Sequence, residues 1–274
     1  MKAFAASCAL AVTIYVCSAS GAAYAQTQSE EVGPPCDFCK PGKTFASDVR
    51  DVFSAPVKWQ APQWRSVAWK SVVVAGAIAF LDQPTRDYLQ RHRTESTQRI
   101  ADAFEPFGAE YALGTLAGFA LFGTLADKPT ARAVALDGTM SSLITSVLVV
   151  TPLKEIAGRS RPNAGNGAHD FNPFGGGESF PSGHAGEAFT LAASIAENYH
   201  RAWIGGLSYG IAGLVGYARM EHDAHWLSDV TASAFIGIGV AKHVTKANDE
   251  RRRRIAIVPF DEQGVRGIRI AAEF

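Results

Sequence analysis

Residues 133–162 read AVALDGTMSSLITSVLVVTPLKEIAGRSRP, an apolar run from Ala133 to Leu153 that passes straight into a basic segment ending in Arg161-Pro162. The run is too long for an ordinary strand, and its Ala, Leu and Gly content favours a helix. Similar stretches occur at Ser66 to Leu81, Tyr111 to Ala126, Gly186 to Glu197, Ala202 to Tyr217 and Trp226 to Val244. The pattern predicts an all-α fold, a bundle of about six principal helices.

The segments around these runs differ in character. Asp82 to Glu110 is polar and charged with Pro84 near its start, which predicts a short helix and loops, with Arg86, Arg91, Arg93 and Arg99 on a solvated face. At the amino end, Lys2, the apolar stretch Ala3 to Val16 and the small residues of Ala23-Tyr24-Ala25 read as a secretory signal over residues 1–25. Residues 26–63 are polar and proline-rich without a sustained period, and read as an extended arm. Cys36 and Cys39 lie in this arm. A single C-x-x-C without a second ligand pair in an exported chain reads as a short-loop disulfide or idle thiols. The bundle domain occupies 64–250. In the tail, 251–274, a basic run from Arg251 to Arg254 precedes two alternating stretches joined by Asp261-Glu-Gln-Gly264, the pattern of a β-hairpin.

Charge and hydropathy narrow the partners. Lys+Arg 26 balance Asp+Glu 26, so no basic excess points to nucleic acid. Mean hydropathy is only +0.02, and the 21-residue run Ala133 to Leu153 could almost span a bilayer. With six spans and a cleaved signal, the motifs described below would face the cytoplasm and Arg251 to Arg254 would lie outside, against the positive-inside bias. A periplasmic or membrane-resting bundle removes the conflict. The alternative is an integral inner-membrane protein whose uncleaved amino end stays inside and whose site faces the periplasm.

Three short segments carry chemistry. Lys154 and Arg161 are about two helical turns apart and converge on one face, a point charge beside a bidentate fork for phosphate oxygens. Pro181-Ser182-Gly183-His184 opens the helix from Gly186, where unpaired backbone N–H groups meet an anion; Ser182 adds a hydroxyl and Gly183 permits close approach. His225 and Asp229 stand at i, i+4 at the start of the last long helix, so the carboxylate can hold one ring nitrogen and leave the other as a nucleophile. Arg219, at the end of the preceding helix, brings a third cation. His222, His225 and Asp229 could also be drawn as a metal cluster, but His225 cannot be both free nucleophile and ligand. Asp170 and Glu178, in the Gly-rich stretch after Pro162, are placed to meet substrate.

These segments resemble the type 2 phosphatidic acid phosphatase superfamily, which includes class A acid phosphatases, membrane lipid phosphatases and vanadium haloperoxidases. The family pattern is K-x6-R-P, P-S-G-H and S-R-x5-H-x3-D; only the leading serine of the third motif differs here, being Ala218. The resemblance implies a phosphohistidine at His225, oriented by Asp229. It implies that His184 protonates the leaving oxygen and then activates water. Lys154, Arg161, Ser182, Gly183 and Arg219 would hold the phosphoryl oxygens, and neither metal nor other cofactor would be required.

The expected function is therefore hydrolysis of a phosphate monoester, a lipid phosphate or pyrophosphate or a small soluble monoester, in the cell envelope. A vanadate-dependent haloperoxidase on the same fold is the enzymatic alternative. A noncatalytic phosphate-headgroup binder or envelope structural protein is the alternative from another class. His225→Ala separates enzyme from binder, since only the enzyme loses its function.

Overall fold

A computed structural model describes residues 41–252, together with the backbone of 256–262 and 265–271. The signal-like segment and the Cys36/Cys39 pair lie outside the described residues. Residues 49–248 form one compact unit, which holds every candidate site residue. The chain on either side of them forms a second unit, where Arg251 Nη1 lies 2.5 Å from Asp48 Oδ1.

Helices dominate the described residues, and every long apolar run lies on one. They are α1 (Pro41–Lys58), α2 (Ala61–Gly76), α3 (Asp82–Arg91), α4 (Glu95–Phe104), α5 (Glu110–Leu125), α6 (Pro129–Leu143), α7 (Thr151–Ala157), α8 (Gly183–Tyr199), α9 (Ala202–Glu221) and α10 (Leu227–Arg252). Wider π-helical turns continue α2 through Ala77–Leu81 and join α6 to α7 through Ile144–Val150. The apolar run Ala133 to Leu153 thus lies within one helical stretch, Pro129–Ala157, with the π turn inside it. Strands β1 (Ala256–Glu262) and β2 (Val265–Ala271) pair antiparallel, with Ile257 opposite Ile270.

Two segments depart from the sequence reading. Part of the expected extended arm is helical in α1, with Pro41 at its first position, where a missing N–H costs nothing. The stretch from Asp82 to Glu110 forms two helices, α3 and α4, and packs on the end of α9. Arg86 does not face solvent alone: its Nε and Nη2 grip the two Asp223 carboxylate oxygens at 2.7 and 2.8 Å. Gln90 donates to the Met220 and Glu221 carbonyls, and Thr97 Oγ1 donates to Glu221 Oε1 at 2.7 Å. A polar surface helix and a polar helix that holds a neighbouring turn have the same composition, so the distinction is invisible locally.

Small residues set the packing of the central helices. Ala188 and Ala192 of α8 meet Ala212 and Val215 of α9, with Phe107, Phe189 and Tyr209 closing over them. Where α8 and α10 cross, a Cβ on Gly237 would lie 2.6 Å from the Gly186 carbonyl oxygen, so only glycine allows this approach. That crossing brings the start of α10 beside the start of α8. Two helical stretches, Ala61–Arg91 and Pro129–Ala157, are long and apolar enough to cross a membrane; the second is over half buried within the protein, the first only 6%.

Candidate active site

The basic segment leaves α7 through Gly158, whose left-handed φ of +56° ends the helix, with its N–H on the Lys154 carbonyl at 2.8 Å. Beyond it the backbone is extended and gathers the Gly-rich loop on both sides. Asn172 N donates to the Gly158 carbonyl, Ser160 N to the Asp170 carbonyl and Ser179 N to the Arg159 carbonyl, at 3.0 to 3.1 Å. Asp170 is spent on this frame, accepting from Ser160 Oγ at 2.5 Å and Asn166 Nδ2 at 3.0 Å, so it is not aimed at substrate. Glu178 holds both cations: its carbonyl accepts from Lys154 Nζ, and its carboxylate lies 3.5 Å from Arg161 Nη2.

Ser182 is the N-cap of α8, its Oγ accepting from Ala185 N at 3.4 Å, while its own N–H reaches the Asp229 carbonyl at 3.3 Å. A Cβ on Gly183 would meet nothing within 4 Å, so the space above the helix start is open. Half-buried His184 follows. Burial lowers its pKa; Glu110 works against this, and the Lys154 and Arg161 cations reinforce it.

His225 is 4% exposed, and its Nδ1 lies 2.7 Å from the Ser179 carbonyl oxygen. A carbonyl can only accept, so the proton sits on Nδ1 and Nε2 carries the lone pair. Asp229 Oδ2 stands farther off, 3.6 Å from Nδ1. Its oxygens are taken by other donors: Arg159 Nη1 and Ser179 Oγ, each at 2.5 Å, and the Trp226 N–H at 2.8 Å. The helix spacing therefore places the carboxylate beside the ring, with Ser179 as the nearer anchor. Burial lowers the His225 pKa to about 4; Asp229 opposes this, and Lys154 and Arg219 add to it. For Asp229 burial pushes upward, but the His225 ring and the Arg159 guanidinium outweigh it and hold the carboxyl below its ordinary value.

Arg219, only 7% exposed, pairs through Nη1 with Glu105, and its buried Nε has no hydrogen-bond partner among the described residues. His222 turns away from His225, with Nδ1 2.8 Å from Glu105 Oε2 and Nε2 2.9 Å from Asp102 Oδ1. The alternative cluster His222, His225 and Asp229 is therefore not assembled; among the described residues no group of three or more His, Cys, Asp or Glu is arranged to hold a metal ion.

The sequence reading missed Arg159, Asp82, Ser179 and Ser228. Arg159 is fully buried inside the Lys154-to-Arg161 spacing. Its Nη2 reaches Asp82 Oδ2 at 2.6 Å, its Nη1 reaches Ser228 Oγ at 2.7 Å, and its guanidinium lies over the Phe171 and Trp226 rings at 4.9 and 5.3 Å. The one local signal was a third cation so close to Lys154 and Arg161.

The PAP2 superfamily model matches residues 138–253, a segment that contains all three motifs. Among solved structures, Aquifex aeolicus LpxE is similar at 23% identity over 61% of this chain and 95% of that one, with a TM-score of 0.48. The first transmembrane PAP2 type phosphatidylglycerolphosphate phosphatase from Bacillus subtilis is similar at 18% identity over 78% of this chain and 98% of that one, with a TM-score of 0.40. No curated protein matches the sequence.

Proposed function

We propose that this chain is a phosphatase of the cell envelope that hydrolyses a lipid phosphate or pyrophosphate through a phosphohistidine on His225. The observation that carries the reading is the His225 ring, buried, neutral and fixed by the Ser179 carbonyl so that Nε2 holds the lone pair. Nε2 attacks phosphorus as the bond to the leaving oxygen breaks, and His184 gives that oxygen its proton. In the second half, His184 takes a proton from water, the hydroxide attacks phosphorus, and the P–N bond breaks to release phosphate and restore the ring. Lys154, Arg161, Arg219, the Ser182 hydroxyl and the Gly183 N–H hold the phosphoryl oxygens as charge builds. These cations are side chains, so no step calls for a metal. Burial is the main cause of the lowered His184 pKa, and a bound phosphate dianion offsets the Lys154 and Arg161 cations that add to it, which favours the protonated, acid form.

Apolar side chains around the cradle favour a lipid phosphate over a soluble monoester. Phe174 is 76% exposed, its N–H 2.8 Å from the Glu155 carbonyl beside Lys154, and Ile156 and Phe171 are exposed nearby. Trp64, Trp69, Val72 and Phe80 on the α2 stretch add an apolar face suited to a membrane surface. Phe174→Asp is expected to raise KM for a phosphatidic acid micelle about tenfold, the scale of one lost aromatic contact, and to leave p-nitrophenyl phosphate hydrolysis within twofold. Equal losses on both substrates would refute the apolar shelf.

The pH profile follows from three groups, His225, His184 and Lys154. His225 must be neutral to attack, and its pKa is near 4; Lys154 must be charged, and burial, aided by Arg161, lowers its pKa to about 8. With substrate ionisation accounted for, kcat/KM should rise through about pH 4 as His225 becomes neutral. It should begin to fall as free His184, lowered from the ordinary imidazole value by burial, loses the proton it must donate, and fall further through about pH 8 as Lys154 discharges. Folded His225 binds fewer protons than the unfolded ring between about 4 and 6.5, so its contribution to stability is lost as pH falls through that window. An acid limb at 6.5, the ordinary imidazole value, would count against the assignment.

The decisive experiment gives purified protein phosphatidic acid and p-nitrophenyl phosphate with a chelator present. Phosphate release supports the proposal. Bromide oxidation after vanadate addition, with no phosphate released, would favour the haloperoxidase; headgroup binding without turnover would favour the binder.

A further inference from the structure

A buried ion bridge behind the nucleophile has no part in the motif-based scheme. Asp82 begins α3, Arg159 lies between the two motif cations, and Asp229 stands on α10, yet all three side chains meet with no solvent exposure. Arg159 Nη2 is 2.6 Å from Asp82 Oδ2, and Nη1 is 2.5 Å from Asp229 Oδ1. Ser228 closes the ring: its N–H and Oγ donate to the Asp82 oxygens at 2.8 and 2.6 Å, and its Oγ accepts from Arg159 Nη1 at 2.7 Å. The Ala168 carbonyl takes the remaining Arg159 donors, at 3.2 Å from Nε and 2.5 Å from Nη2.

Two carboxylates sharing one guanidinium leave a net negative charge in a dry site. A buried charge that loses its partner costs far more than the pair contributes, so each member fixes the others in place. Asp229 cannot turn toward the His225 ring without abandoning Arg159, and Arg159 cannot follow it without abandoning Asp82. The bridge thereby fixes both the distance of the carboxylate from His225 and how much of its charge the ring feels.

We infer that Asp82 and Arg159 are positioning residues for the nucleophile, acting through Asp229 to set the orientation and the proton affinity of His225. The inference rests on the reading of His225 as nucleophile. The charged and titratable groups around His225 and Asp229 are Lys154, Arg159 and Asp82 on one side and Arg219 on another, with His184 among the same cradle cations. Asp82 and Arg159 can be changed without altering the His225–Asp229 pair or a group proposed to touch phosphate.

The two substitutions act in opposite directions. Asp82→Asn keeps the shape but throws the whole Arg159 charge onto Asp229, so the His225 imidazolium loses support and its titration moves to lower pH. Arg159→Gln removes the cation and leaves Asp229 unquenched, so the titration moves to higher pH. Each shift should be about half a pH unit or more for charges this close at an effective dielectric of ~20. In turnover, kcat should fall about 10- to 100-fold, the range for a misplaced reacting group. KM should stay within about twofold, because Lys154, Arg161 and Gly183 are untouched.

The experiment follows the His225 ring by NMR titration in the full-length wild type, Asp82→Asn and Arg159→Gln proteins, with melting curves and kinetics on the same samples. Opposite shifts of the ring titration support the inference, and this readout needs no turnover. If wild type releases no phosphate, the phosphatase reading fails while the NMR comparison still decides the positioning role. A loss of melting temperature with His225 titration and kcat unchanged would overturn the inference. If one variant does not fold, the sign of the shift in the other decides; failure of both to fold would make the bridge a purely structural element and overturn the inference.

Discussion

Alanine at position 225 should abolish phosphate release, lowering kcat by at least about 10³-fold, because the proposed covalent route has no second nucleophile. Among the His, Lys and Arg groups of the site, the His225 ring alone is buried, neutral and anchored at one nitrogen with a lone pair on the other. His184 is half-buried and belongs to the cation-rich side of the cradle. The substitution leaves the Ser179 carbonyl without its ring partner, a cost of about 1–3 kcal/mol, so the variant should melt earlier yet remain folded. A denaturing quench at alkaline pH, where the P–N bond survives, during turnover of a labelled phosphate ester should trap label on the wild type and none on His225→Ala. Turnover within tenfold of wild type would end the nucleophile assignment, and trapped label on the variant would relocate it. The phosphate cradle itself should survive: Lys154, Arg161 and Arg219 remain, so the variant should still bind inorganic phosphate or a lipid phosphate it cannot cleave.

The long helices were legible because each has to bury apolar side chains over many turns, which leaves a local record in composition. Ala133 to Leu153 and Ala202 to Tyr217 lie within helical stretches that extend only a few residues beyond them. The candidate site residues stood out for a different reason: the cations, the helix start and the imidazoles each lie within a short segment. Arg159 and Asp82 were not legible. Their partnership spans 77 positions and that of Asp82 with Ser228 spans 146, and a carboxylate that will be buried looks the same in sequence as one that will be solvated. Arg86 fell to the same ambiguity, since its grip on Asp223 exists only once α3 lies against the end of α9. Ser179 was invisible because its backbone oxygen, not its side chain, anchors His225. The i, i+4 spacing correctly put Asp229 beside the ring but gave no sign that Arg159 and Ser179 Oγ would take its oxygens first.

Gly158→Ala should be the most damaging single methyl group in the domain. The residue has φ +56°, where any side chain is strained, and a Cβ there would lie 1.7 Å from the Asn172 carbonyl oxygen and 2.4 Å from its carbon. Those are backbone atoms of a loop pinned at both ends, by Asn172 N on the Gly158 carbonyl and by Ser179 N on the Arg159 carbonyl, each at 3.0 Å, so no flexible side chain can move aside. The left-handed conformation alone costs about 1 kcal/mol, which Gly165→Ala isolates, because Gly165 has φ +75° and open space around its Cβ. Displacing the loop adds overpacking strain and lost hydrogen bonds, for a total of about 3 kcal/mol or more. The damage reaches the chemistry because Gly158 is the hinge between Lys154 and Arg161, and the displaced loop carries the Glu178 carbonyl and carboxylate that hold those two cations. Gly158→Ala should therefore lose melting temperature well beyond Gly165→Ala, and its folded fraction should show a raised KM for phosphate esters. Equal melting temperatures for the two variants would show that the loop yields freely and that the tight Gly158 turn does not govern the placement of the two cations.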